Sequence, residues 1–67
     1  MTARQIVLDA LQFYEIEVIS VSGNRIRVQN SFEIEVGANR LYKLFNAGHV
    51  VAPFNDIDEL CWFIQSF

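Results

Sequence analysis

The stretch EIEVISVSGNRIRVQNSFEIEV, residues 15–36, constrains the fold of this chain more than any other part of it. Apolar and polar residues alternate through it with period two, the spacing at which a strand turns successive side chains to opposite faces. A slip of one residue would move every apolar side chain to the wrong face, so the pairing is strongly specified. A two-residue turn at Gly23-Asn24, of type I′ or II′, sets Val21 opposite Ile26, Ile19 opposite Val28 and Ser20 opposite Arg27. A three-residue loop at Gln29-Asn30-Ser31 then pairs Val28 with Phe32 and Ile26 with Ile34, and brings Arg27 opposite Glu33 and Arg25 opposite Glu35. A two-residue loop would set Val28 against Glu33, so side-chain pairing selects the longer one. The parity fails once. Ile16 and Val18 are out of phase with Ile19 and Val21, which calls for a bulge or a late strand start near Val18.

On either side of this meander the spacing changes. Thr2 followed by Gln5 fits a capping box, and Ile6, Val7, Ala10, Leu11 and Tyr14 recur with helical spacing, which predicts a helix over residues 3–14. Gly37-Ala38-Asn39 supplies a turn, and LYKLF and HVVA make a second hairpin around Ala47-Gly48, with Phe45 opposite Val50 and Leu44 opposite Val51. Both faces of these last strands are apolar, so they are expected to be covered on both sides or to sit centrally. Pro53 is expected to end the sheet because it has no N–H for a ladder. Asn55 or Asp56 caps a final helix whose first turn holds Asp58 and Glu59, the charge that a helix N-terminus favours. The expected architecture is a single α+β domain spanning residues 1–67. It is an antiparallel meander of about five strands flanked by N- and C-terminal helices, in the order α-β-β-β-β-β-α, with both helices on one sheet face.

A domain of 67 residues is close to the smallest that folds without staples, and 52% hydrophobic residues with 13% aromatics supply the burial it needs. One cysteine excludes an internal disulfide. The chain opens directly on a helix signal and has no secretory signal, lipidation motif or long apolar run, so a cytoplasmic, non-membrane protein with no preceding targeting segment is expected.

The residues that bear chemistry are few. His49 beside the turn at Gly48 and Cys61 on the buried stripe of the last helix have no metal-ligand spacing, and a thiol in apolar surroundings is inert. Asp56, Asp58 and Glu59 are accounted for by the helix cap. No phosphate loop, nucleophile elbow or triad spacing is present, so the expectation is no enzyme, no cofactor and no metal. Arg25, Arg27, Arg40 and Lys43 form a candidate basic strip on the open sheet face, with Tyr42 as a stacking surface for single-stranded nucleic acid. Glu33 and Glu35 opposite two of those arginines explain the same residues as cross-strand ion pairs, and a net charge of −3 argues against nucleic acid.

One residue resists a core reading. At 100° per residue, Ile57, Leu60, Cys61 and Ile64 cluster on one side of the final helix, whereas Trp62 points about 150° away, among Asp58, Glu59 and Ser66. Leu8 and Phe13 lie off the stripe of the first helix in the same manner, and Phe63 flanks the stripe of the last. Tryptophan is among the residues most enriched at interface hot spots. The leading expectation is therefore a non-enzymatic interaction module, binding a protein partner or itself through Trp62, Phe63, Leu8 and Phe13. The alternative is a small nucleic-acid or anionic-ligand binder that uses the basic strip.

Overall fold

The computed structural model describes residues 2–67. Helix α1 (Ala3–Phe13) leads into five strands, β1 (Val18–Ser22), β2 (Arg25–Val28), β3 (Phe32–Val36), β4 (Tyr42–Asn46) and β5 (His49–Phe54), and helix α2 (Ile57–Gln65) closes the chain. The strands form one antiparallel sheet in sequential order, as a meander with short loops must. The Thr2 side chain caps α1 by accepting from the Gln5 N–H at 3.1 Å. The Gln5 side chain does not reach back to complete the capping box; it extends along the helix, where its amide donates to Asp9 at 2.9 Å.

The β2–β3 register pairs Ile26 with Ile34, Arg27 with Glu33 and Arg25 with Glu35, as the apolar alternation requires. Gly23 carries the positive φ of the first turn at 59°, the pattern of a type II′ hairpin. The expected irregularity in β1 lies between Val18 and Ser20, and it sets Val18, not Ile19, opposite Val28. Ile19 is the extra residue of this bulge and stands 60% exposed.

Ile26, Ile34 and Leu44 lie side by side across β2, β3 and β4 and are fully buried. They share one apolar cluster with Val7 and Leu11 of α1 and with Leu60, Cys61 and Ile64 of α2. Fully burying each such side chain contributes about 1.5–3 kcal/mol.

The second hairpin departs from the sequence reading in three ways. Leu44 pairs with Ala52 rather than Val51, because the ladder shifts between Leu44 and Phe45. Strand β5 is an edge strand and largely exposed, so the apolar residues on both its faces do not signal a central position. Pro53 lies within β5 opposite Lys43 rather than ending the sheet. An edge strand tolerates proline where the missing N–H would face solvent.

Candidate functional site

The exposed aromatic surface is built where the end of α1 meets α2. Asp56 caps α2 by accepting from the Asp58 N–H at 2.9 Å, which fixes the first turn of the helix. The Asp58 carboxylate in turn accepts from the Tyr14 hydroxyl at 2.9 Å, and the Gln65 side chain donates to the Tyr14 carbonyl at 2.6 Å. Two turns of α2 therefore hold the last turn of α1 through side-chain bonds on the same residue. Partial burial, and then the bond to Asp58, raise the Tyr14 phenol above its ordinary pKa, while the neighbouring Trp62 indole acts in the opposite direction.

Around this clamp two large side chains remain uncovered. Trp62 is 57% exposed and Phe13 is 79% exposed. The Phe13 ring stands edge-on to Tyr14 with centroids 5.1 Å apart. Helical geometry puts Trp62 outside because the burial of Leu60, Cys61 and Ile64 fixes the rotation of α2. The patch is apolar at Phe13, Tyr14 and Trp62 and is rimmed by Asp58 and Gln65.

The other two candidate residues lie elsewhere. Phe63 is half-buried in a cluster of rings, 6.3 Å from Phe32, 5.8 Å from Phe54 and 5.0 Å from Phe67. Leu8 is half-buried against the core. The structure thus joins Phe13 and Trp62 through Tyr14, and gives Phe63 and Leu8 packing roles. Tyr14 escaped the sequence reading because it continues the apolar stripe of α1. Its hydroxyl and a carboxylate 44 positions along the chain were the available signal.

The four basic candidates do not form a continuous strip. Arg25 is held by Glu33 at 2.7 Å and Glu35 at 3.5 Å, and its guanidinium lies 4.5 Å from the centroid of the Phe45 ring. Both acids are thus taken by one arginine, so Arg27 stands opposite Glu33 in register, as expected, without the ion pair that this position implied. Arg27 and Lys43 share the face of Arg25 by register, and neither has an ion-pair partner among the described residues. Arg40 belongs to a short 3-10 turn, Ala38–Arg40, off that face. Tyr42 is only 3% exposed, so its ring offers no open stacking surface.

His49 is exposed at the start of β5, and Cys61 is fully buried, where desolvation pushes its thiol up to about 11. No three His, Cys, Asp or Glu side chains converge among the described residues. No helix there is long and apolar enough to cross a membrane. Comparison with family models, curated proteins and solved structures finds no match to this chain.

Proposed function

We propose that this chain is a non-enzymatic interaction module whose partner is a protein segment carrying apolar side chains beside lysine or arginine. The observation that carries the reading is Trp62, 57% exposed on a helix whose rotation is set by three fully buried neighbours. Trp62 and Phe13 around Tyr14 supply an apolar centre, and Asp58 with Gln65 supplies a polar rim, the layout of a contact surface with a hot spot. Charge selects the partner. The first turn of α2 holds Asp58 and Glu59, and neither helix has a basic residue in its last turn. Two copies set patch to patch would bring acid onto acid, whereas a cationic segment matches the rim. On the sheet face Arg25 is committed to Glu33 and Glu35, which weakens the case for phosphate binding there.

The test selects peptides from a random display library on the immobilised protein and re-screens them against Trp62→Ala. Peptides rich in lysine or arginine beside large apolar residues, lost on the variant, are expected. An unchanged pool on the variant refutes the reading. So does a dimer, seen by light scattering, that Trp62→Ala dissociates, since the occupant would then be a second copy.

A further inference from the structure

A cleft of about 460 Å³ opens at the N-terminal end of α2, lined by Ile6 of α1, Arg40, Tyr42 at the start of β4, and Asn55, Asp56 and Ile57. Its size lies in the range of small-molecule sites. Three features of its lining point to an occupant. Tyr42 is only 3% exposed, yet its hydroxyl has no hydrogen-bond partner among the described residues. No sealed side-chain oxygen or nitrogen among the described residues lacks a partner, so this hydroxyl keeps contact with solvent, and the cleft is the opening that Tyr42 lines. Arg40 and Asp56 carry opposite charges on one cleft without pairing with each other. The Asp58 N–H uses one Asp56 oxygen at 2.9 Å, and the second oxygen remains for another donor. Ile6 and Ile57 add an apolar surface between these polar groups.

We propose that this cleft binds a small zwitterion of the amino-acid type. Its carboxylate meets the Arg40 guanidinium and the Tyr42 hydroxyl, its ammonium meets Asp56, and its apolar side chain rests on Ile6 and Ile57. A guanidinium presents paired N–H donors that match a carboxylate, and a hydroxyl beside it adds a third. A simple anion would meet Asp56 as a like charge, and a simple cation would meet Arg40. A molecule with both charges satisfies both walls.

Amide NMR spectra of the intact chain, titrated with leucine, isocaproate and isoamylamine, test the proposal. The three probes share one apolar chain, and the last two each lack one of the charges. Leucine is expected to shift the amides of Arg40, Tyr42 and Ile57 saturably, and each single-charge analogue to bind about tenfold more weakly or worse. Arg40→Asn should reduce leucine affinity by a similar factor, while isoamylamine should bind no more weakly than before, since the variant removes a like charge. Asparagine accepts the left-handed backbone of position 40, φ 59°, so this variant keeps the turn. Tyr42→Phe keeps the buried ring and should also weaken leucine. Equal binding of all three probes overturns the proposal by reducing the cleft to an apolar groove. No saturable shift at these amides, shifts centred on Trp62, or wild-type leucine binding by both variants overturns it as well.

Discussion

Replacing Trp62 by alanine separates a contact residue from a core residue by magnitude. At 57% exposure roughly two fifths of the side-chain surface is covered, about 80–100 Å² of a tryptophan that can bury up to about 250 Å². At about 25 cal/mol per Å² that area is worth about 2 kcal/mol. Releasing the side chain returns up to about 1 kcal/mol of rotamer entropy, and alanine gains a few tenths more as the better helix former. The net loss should be close to 1 kcal/mol, a fall of about 4–8 °C in Tm for a domain of this size. A tryptophan in the core would cost about 3–5 kcal/mol. Urea unfolding followed by far-ultraviolet circular dichroism measures the difference without relying on the deleted fluorophore. A loss of 3 kcal/mol or more (roughly the lower end of the core range) at unchanged m-value would refute the assignment of Trp62 to the surface. In the wild type the same assignment requires red-shifted tryptophan emission that iodide quenches readily.

Other perturbations test the remaining structure. Ala47 adopts φ 52° ahead of Gly48 at φ 86°, so Ala47→Asn should stabilise the β4–β5 hairpin by about 0.5–1 kcal/mol, read from the urea midpoint. Leu44→Ala empties a fully buried position between Ile34 and Ala52 and should cost about 2–5 kcal/mol, enough to unfold a domain this small, as a lost cooperative melt would show. Burial raises the Cys61 thiol to about 11, while the unfolded chain ionises near 9.0, so the folded state holds more protons between those values. The Cys61 contribution should therefore be unaffected below pH 9 and take away about 2–3 kcal/mol as pH rises toward 11, and Cys61→Ala should lack this part of the slope. Arg25→Ala should lower the urea midpoint only slightly, since its pairs are partly solvated, and Arg27→Ala should be near neutral in the same assay.

The element order and the β2–β3 register were legible because each rests on local information. Period-two alternation, Gly23 in a tight turn and the contrast between Val28 and Glu33 leave one pairing that buries Ile26 beside Ile34. The helix ends were legible for the same reason, since Thr2 and Asp56 act on N–H groups two or three residues away. The position of Trp62 also followed locally, because once Leu60, Cys61 and Ile64 face inward the helix has no freedom to hide it. The β4–β5 register was less legible. There Val50, Val51 and Ala52 are nearly interchangeable as partners, and Pro53 reads as a strand end until the strand is known to lie at an edge.

What surrounds Trp62 could only be decided in three dimensions. The bond from Tyr14 to Asp58 spans 44 positions, and the cleft draws Ile6, Arg40 with Tyr42, and Asp56 from three separate stretches of chain. Arg25 took both Glu33 and Glu35, although register alone shares them between two arginines, because a long guanidinium reaches diagonally across strands and stacks on Phe45. By itself the sequence determined which faces are apolar, and therefore, outside the β1 bulge and the β4–β5 hairpin, where the helices and strands begin, turn and end. The tertiary structure decided which polar groups meet, since such meetings depend on the packing of elements distant in the chain and leave no periodicity behind.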